Sequence, residues 1–245
     1  MRLPGDAGPS TTGVEAQVVE LGSRLRTVAA LVPMGARLAD VGTDHAQLLA
    51  WLRARGRIAR GIGVDIARGP LQQAETTLQG AGIDDVELRR GDGLTPLRPG
   101  EVDTVSIAGM GGARIRRLVD AAAEVVGGLS RLVLQPNTEW KGVRQWIGER
   151  GFTLEDERMV EDRGKFYVVL AVRPTAGAPT EWSEDELVLG PRLMQERPAV
   201  FVDWLVAERA RVQRALNWAG QGSDDDPKRA ELERKRDRLT RALEG

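Results

Sequence analysis

The sequence contains no cysteine and only one histidine, His45, among its 245 residues. Without cysteine there can be no disulfide bond and no metal site built from thiolates, and the absence favours a reducing compartment. We therefore expect a cytoplasmic protein. Nothing in the remaining residues suggests a bound metal.

Long apolar runs are also missing. No stretch approaches the roughly 20 apolar residues that span a bilayer, and the first twenty residues carry Asp6, Glu15 and Glu20 without a hydrophobic segment. We therefore expect neither a signal peptide nor a membrane partner.

The charge balance lacks the excess of cations that is typical of many nucleic-acid-binding proteins. Lysine and arginine number 35 against 36 aspartate and glutamate residues, which gives a net charge of −1. Any nucleic acid must therefore be held by local clusters of cations.

The sequence leaves the oligomeric state open, and a monomer is one interpretation.

What the sequence does contain is a regular alternation of strand and helix patterns. Short apolar strands are predicted at 37–41, 61–66, 86–90, 102–108, 129–134 and 153–157, followed by a hairpin of 158–161 with 165–172. Helical patterns separate most of these strands. This alternation predicts an α/β fold with a mostly parallel, doubly wound, Rossmann-like sheet.

The composition divides the chain into four segments. Residues 1–19, rich in Gly, Pro, Ser and Thr, are expected to form a flexible tail, 20–173 the sheet domain, 174–180 a linker and 181–245 a helical domain. In the last segment, apolar residues recur at steps of four and seven. This spacing predicts an antiparallel helical hairpin with coiled-coil character.

The turn after the first strand, at residues 40–45, indicates which nucleotide the sheet would bind. A dinucleotide site needs G-x-G-x-x-G so that bare backbone can approach a pyrophosphate, and here only Gly42 is present. Carboxylates at Asp40 and Asp44 would repel a diphosphate but attract a sulfonium or ammonium group. We therefore predict a pocket for S-adenosylmethionine, formed in part by Asp40, Gly42, Thr43, Asp44 and His45.

Acids and glycines also follow the next two strands. Asp65 would bind ribose hydroxyls or, alternatively, only cap a turn. Asp92 would accept a hydrogen bond from an adenine amino group, unless it only forms an Asp-Gly turn. His45 has the alternative of a satisfied polar residue in the core. The predicted cofactor set further includes Ile66, Gly91, Gly93, Ala108 and Gly109.

A cluster of three glycines in four residues follows the fourth strand. It indicates close approach of the backbone to a ligand, with tight helix packing as the alternative. Asn137, after the fifth strand, offers an amide that can read an adenine edge, and Trp140 either stacks on a base or belongs to the core. We predict that Gly109, Met110 and Asn137 are catalytic. The predicted substrate-binding residues are Gly111, Gly112, Arg114, Arg117 and Tyr167. For the two arginines, the alternative is a position on the solvated surface.

Seven short segments occur in a characteristic order: RL (24–25), DVGTDHA (40–46), GP (69–70), RGDGL (90–94), IAGMGG (107–112), LQPN (134–137) and GKFY (164–167). Together they resemble the bacterial tRNA (adenine(22)-N1)-methyltransferase family. The resemblance implies a Rossmann-like class I methyltransferase domain followed by a coiled-coil-like helical domain. It also implies S-adenosylmethionine as cofactor, tRNA as partner and methyl transfer to adenine N1. The chain departs from the common family pattern at Asp65 and Val168, where glutamate is usual.

Two other functions fit the residues alone. One is a methyltransferase that acts on a small molecule or a protein, and the other is a non-catalytic adapter that binds a nucleoside weakly and a protein through the helical hairpin. If tRNA is the partner, cations of the helical domain and of the helix after the glycine cluster are expected to hold it. These are Arg114, Arg116, Arg117, Arg209, Arg211, Arg214, Lys228, Arg229, Lys235, Arg236, Arg238 and Arg241.

Overall fold

The computed structural model describes residues 18–175, 177–218 and 227–245. Its strands are β1 (Ala36–Val41), β2 (Ile58–Asp65), β3 (Val86–Arg90), β4 (Thr104–Gly111), β5 (Arg131–Thr138), β6 (Thr153–Asp162) and β7 (Lys165–Arg173). Its helices are α1 (Ser23–Leu31), α2 (Gln47–Ala54), α3 (Arg68–Gly80), α4 (Gly112–Asp120), α5 (Ala123–Val126), α6 (Trp140–Glu149), α7 (Glu184–Leu189), α8 (Pro191–Glu196), α9 (Ala199–Trp218) and α10 (Pro227–Glu244). Most of the predicted tail and the predicted turn at 220–226 lie outside the described residues. No helix in the described ranges is long and apolar enough to cross a bilayer.

The strands form one seven-stranded sheet in the order β3-β2-β1-β4-β5-β7-β6. The strands β1 to β5 are parallel to their neighbours among themselves, whereas β7 is antiparallel to both β5 and β6. The chain moves outward from β1 to β3 and then returns to place β4 on the other side of β1. A crevice therefore opens where β1 and β4 end. The predicted mostly parallel, Rossmann-like α/β sheet is confirmed.

Strand β4 is longer than the sequence predicts and includes most of the glycine cluster. It continues to Gly111 because β5 also extends, so that Met110 pairs with Pro136 and Gly111 with Thr138. The register shifts on both sides of Met110. Gly109 is therefore at a bulge within a strand rather than in a free loop after residue 108, which corrects the sequence prediction.

Other boundaries also differ from the predicted ones. The helix expected at 113–126 is two helices, α4 and α5, because the backbone at Ala122 is not helical. The segments 153–157 and 158–161 form the single strand β6. Helices α7 and α8 have six residues each, too few for a helical period to be read from the sequence. The start of α7 does carry a readable signal, since Ser183 and Glu186 form a capping box.

The helices after residue 180 pack against the sheet domain in the same hydrophobic core. Leu189, Phe201 and Leu205 are buried in the cluster that also contains Val143 and Ile147 of α6. The segment proposed as a linker makes backbone hydrogen bonds to the end of α6, from Gly177 N–H to the Gly151 carbonyl (3.0 Å) and from Thr180 N–H to the Gly148 carbonyl (3.1 Å). Helices α9 and α10 also pack against each other.

A buried ion pair connects the sheet domain to α7 and α8. Arg144 on α6 donates from Nε to Oε1 of Glu157 on β6 (2.7 Å), and both side chains are fully buried. The Nη1 of Arg144 donates to the carbonyls of Leu187 (2.9 Å) and Val188 (3.1 Å). The second carboxylate oxygen of Glu157 accepts from the N–H of Arg192 at the start of α8 (3.2 Å). The buried ion pair thus fixes the end of α7 and the start of α8 against the sheet domain.

Candidate cofactor and substrate site

A cavity of about 390 Å³ lies at the carboxyl ends of β1, β2, β4 and β5. Its volume falls within the range of small-molecule sites. Ten of the residues that the sequence analysis singled out meet there, and four further residues complete the lining. The predicted ones are Asp40, Gly42, Thr43, Asp44, His45, Asp65, Ala108, Gly109, Met110 and Asn137; the others are Arg24, Leu25, Gln47 and Leu48.

The turn between β1 and α2 has an unusual backbone. Gly42 has a φ of +74°, and the non-glycine residues Asp44 and Ala46 have φ values of +51° and +52°. A Cβ atom at position 42 would collide with the side chain of Met110. The N–H groups of Gly42 and Thr43 both donate to the Val64 carbonyl, at 2.8 and 3.0 Å. Left-handed backbone at non-glycine residues is strained and is often found at functional sites, and Asp44 lies in the cavity lining.

Asp40 lies next to the end of β1, with its side chain buried. Burial raises the pKa of the Asp40 carboxyl, and a hydrogen bond from Ser106 Oγ (2.7 Å) counteracts this effect by stabilising the charged form. The nearby Thr43 hydroxyl is also buried, and its interaction with the Asp40 carboxylate likewise lowers the pKa of Asp40.

Asp65 caps the turn after β2 and also lies in the cavity lining. Its carboxylate accepts from the N–H of Asp44 (3.3 Å) and from the N–H of Ala67 (3.0 Å), which caps the turn after β2. The same carboxylate lines the cavity and keeps lone pairs for further hydrogen bonds. The next residue, Ile66, is a large apolar side chain that is 51% exposed.

The bulge at Gly109 is held by side-chain amides. Gly109, with a φ of +78°, donates its N–H to Oε1 of Gln135 (3.0 Å) and accepts at its carbonyl from Nδ2 of Asn137 (2.8 Å). Gln135 Nε2 in turn donates to Asn137 Oδ1 (3.1 Å). These bonds fix the orientation of the Asn137 amide at the mouth of the cavity.

Arg24 belongs to this network, although sequence reasoning did not place it in the site. Its Nη1 donates to Oε1 of Gln135 (2.6 Å), and its guanidinium lies 5.7 Å from the centre of the Tyr167 ring. Tyr167 thus contacts a residue of the cavity lining but does not itself line the cavity. Arg24 and Gln135 do stand in the RL and LQPN segments of the family resemblance, which is the signal that could have identified them.

The remaining predicted residues do not line the cavity. Asp92 is half-exposed, 3.6 Å from Arg114, and Arg117 is exposed. Gly91 and Gly93 lie close to Pro96 and Leu118. A Cβ at Gly112 would lie 2.8 Å from Val143, so that close packing of α4 on α6 accounts for that glycine, whereas Gly111 has only Thr138 Oγ1 nearby, at 3.4 Å. Within the described ranges there is no group of three or more residues that could hold a metal ion.

Comparisons with known proteins match this chain over most of its length. A family model described as a methyltransferase domain matches residues 21–170. The tRNA (adenine(22)-N1)-methyltransferase of Bacillus subtilis is 34% identical over 226 residues, which cover 90% of this chain and 94% of that one. The crystal structure of the B. subtilis m1A22 tRNA methyltransferase is 31% identical, with a TM-score of 0.79, and covers 92% of this chain and 100% of that one. The structure of Streptococcus pneumoniae Sp1610 in complex with S-adenosyl-L-methionine is 32% identical, with a TM-score of 0.80, and covers 90% of this chain and 98% of that one.

Proposed function

The chain belongs to the tRNA (adenine(22)-N1)-methyltransferase family, and from this premise we propose that it transfers a methyl group from S-adenosylmethionine to N1 of adenine 22 in tRNA. The observation that carries the proposal is the arrangement around Gly109. A glycine bulge held by two side-chain amides adjoins an acid-lined cavity at the switch point of the sheet. A tRNA substrate also supports a cytoplasmic location.

The residues of the cavity fit the proposed cofactor. When bound, S-adenosylmethionine supplies a methyl group activated by a positively charged sulfur. Three carboxylates, of Asp40, Asp44 and Asp65, face one guanidinium, of Arg24, so that the lining favours a cationic ligand. The Thr43 hydroxyl lines the cavity beside Asp40. We assign the Asp65 carboxylate to the ribose hydroxyls of S-adenosylmethionine and the Arg24 guanidinium to the carboxylate of its methionine portion.

The substrate side rests on Asn137, Gly109 and Met110. Because adenine N1 carries its own lone pair, no strong base is needed to start the transfer, and most of the catalysis comes from positioning. The Asn137 amide, fixed by Gln135 and Gly109, has one N–H and one oxygen lone pair left for the adenine edge. N1 is occupied in a Watson–Crick pair, so that the target base must be unpaired or flipped out.

Mass spectrometry of nucleosides tests the proposal. Unmodified tRNA carrying adenine 22 is incubated with the protein and S-adenosylmethionine and then digested, and 1-methyladenosine is expected. A transcript with guanine at position 22 is the matched control and should gain no methyl group. Methylation of both transcripts would place the modification elsewhere, and methylation of neither would favour another substrate or a non-catalytic role.

A further inference from the structure

A second cavity, also of about 390 Å³, lies where the sheet domain meets the C-terminal helices. We call it the junction cavity. Its wall comes from the end of β5, the start of α6, and helices α7, α9 and α10, through Thr138, Glu139, Trp140, Lys141, Val188, Trp204, Glu208, Lys235, Arg238 and Leu239. The function proposed above assigns no role to it.

Aromatic rings dominate one side of the junction cavity. Trp140 and Trp204 lie with their ring centres 6.0 Å apart at an angle of 51°, and Trp204 stacks on Phe201 at 5.8 Å. The indole N–H of Trp140 donates to the Pro136 carbonyl (3.1 Å), which fixes the ring. Both tryptophans are only partly buried. Their rings therefore offer a rigid surface on which a flat group can stack.

The charges around the junction cavity are paired with one another. Lys235 contacts Glu208 (2.6 Å), Lys141 contacts Glu184 (2.8 Å), and Arg238 contacts Asp185 (2.5 Å). A phosphate group would have to displace these carboxylates from their cations. An uncharged, flat group with hydrogen-bonding edges fits better, because it can stack on the rings and leave the ion pairs intact.

The end of β5 connects the junction cavity with the proposed site of methyl transfer. Asn137 lines the cofactor cavity, whereas the next two residues of the chain, Thr138 and Glu139, line the junction cavity. The segment 137–139 therefore contributes to both cavities, which adjoin each other along the chain at the end of β5. The segment between the two cavities is held in place at Glu139, because the side chain of Glu139 accepts a hydrogen bond from the N–H of Ala113 (2.8 Å).

We propose that the junction cavity holds the base of a nucleotide next to the target adenine, stacked on Trp204. The occupant is an uncharged nucleobase of the same RNA strand, and this assignment rests on the proposed function. Stacking there pulls the strand open beside the target and orients it at Asn137. The cavity thus contributes to tRNA binding, and the cofactor pocket does not depend on it.

The first test uses the intact protein and altered tRNA. Transcripts carry an abasic site on the 5′ side or on the 3′ side of adenine 22, and KM and kcat are measured for each. For one of the two abasic transcripts, KM is expected to rise about tenfold, which corresponds to the loss of one base stacked on an aromatic ring. Its kcat should change less than about twofold. A methylphosphonate at either neighbouring phosphate should have a smaller effect. If neither abasic site changes KM, or if the phosphate substitution has the larger effect, the proposal is wrong.

The second test changes the protein. Trp204→Leu should raise KM for intact tRNA about tenfold, Trp204→Phe should retain most of the affinity, and neither should change the affinity for S-adenosylmethionine. Trp218→Leu, at a tryptophan that is 92% exposed at the end of α9, is the matched control and should leave KM unchanged. One abasic transcript is expected to have a raised KM with the parent protein. For that transcript, Trp204→Leu and the parent should have the same KM. A further rise in KM when the substitution and the abasic site are combined would overturn the stacking role. Methylation of intact tRNA by the parent protein tests the proposed function separately.

Discussion

Single side chains at the cavity combine a structural task with a position in the cavity lining. Asp65 caps the turn after β2 and faces the cavity with the same carboxylate. Asn137 holds the Gly109 carbonyl and presents the rest of its amide at the cavity mouth. Substitutions at such positions therefore need a control that separates folding from binding.

Replacing Asp65 by alanine should weaken binding of S-adenosylmethionine at least about tenfold. The change removes charge-assisted hydrogen bonds to the ribose, worth about 1.5–3 kcal/mol each. Isothermal titration calorimetry measures the affinity, and circular dichroism checks the fold. Asp84→Ala, an exposed aspartate before the amino end of β3, is the control and should bind normally. Unchanged affinity in a folded Asp65→Ala protein would mean that the cofactor lies elsewhere.

The glycine cluster permits a test of two neighbouring positions. Gly111→Val should fold and bind the cofactor, because a Cβ there meets only Thr138 Oγ1 at 3.4 Å, yet kcat/KM for tRNA should fall by about tenfold or more as the side chain blocks the base. Gly112→Val should instead lower the melting temperature, because its Cβ would press on Val143 and on the Thr138 carbonyl. Equal loss of cofactor and tRNA affinity in Gly111→Val would place this glycine in the cofactor site.

Much of the cofactor cavity could be predicted from the sequence, because acids and glycines after parallel strands must meet at one edge of the sheet. Arg24 could not be placed in this way. It lies on α1, and its partner Gln135 is 111 residues away, so that only the folded chain brings them together. Gln135 itself lies in a buried strand, where a single polar residue gives no sign of its partners.

Among the elements, the bulge in β4 and the short helices α7 and α8 were the least predictable. Whether a glycine-rich segment continues a strand depends on the length of the neighbouring strand β5, which no local pattern records. The central strands β1, β4 and β5 were predictable because they are largely buried and therefore form apolar runs, unlike the partly exposed edge strand β3. Helices α7 and α8 depend on the buried pair of Arg144 and Glu157, which is again a contact between distant residues.

Breaking the buried ion pair should destabilise the protein strongly. Arg144→Ala leaves the carboxylate of Glu157 buried without its cation, which costs about 3–5 kcal/mol in comparable cases. The double variant Arg144→Met with Glu157→Leu removes both charges and should recover much of the loss. The free energy of unfolding, measured with urea, distinguishes the two variants. A loss below about 1 kcal/mol for Arg144→Ala would contradict the role given to this pair.

The contact between α9 and α10 should depend on pH through Glu208. Hydrogen bonds from Arg211 and from Lys235 hold the pKa of Glu208 at about 2, below the usual range for glutamate. Because the pKa in the folded state is lower than in the unfolded state, this stabilisation is present above the unfolded pKa and is lost as the pH falls toward 2. Glu208→Gln should therefore be less stable than the parent at pH 7, and the difference should shrink with acidification. Urea unfolding between pH 7 and pH 3 measures it, with the exposed Glu231→Gln as the control; a difference independent of pH would contradict the assignment.

At the scale of the whole molecule, a protein of net charge −1 must hold a polyanion through local cations. Many of the arginines and lysines expected to do so are paired with acids, among them Arg211, Lys235 and Arg238. Within the described parts of α9 and α10, Arg214 and Arg234 are exposed and have no salt bridge to a described residue. These unpaired cations are the best candidates for binding phosphates.

Removing the C-terminal helices altogether would be a poor test of this idea, because it would uncover the Arg144–Glu157 pair and the core around Phe201. The double variant Arg214→Ala with Arg234→Ala leaves that core intact. It should weaken tRNA binding and lower the slope of log affinity against log salt concentration by about one for each phosphate that the protein no longer neutralises. The affinity for S-adenosylmethionine should not change.

The control for this last prediction is the double variant Arg55→Ala with Arg98→Ala. Both arginines are exposed but lie near the amino ends of the parallel strands, away from the cofactor cavity and from α9 and α10. The control loses the same net charge, so that any general electrostatic attraction would fall equally in both variants. Filter-binding titrations between about 50 and 200 mM salt compare them. An equal decrease of slope in both variants would mean that tRNA is not held locally by α9 and α10.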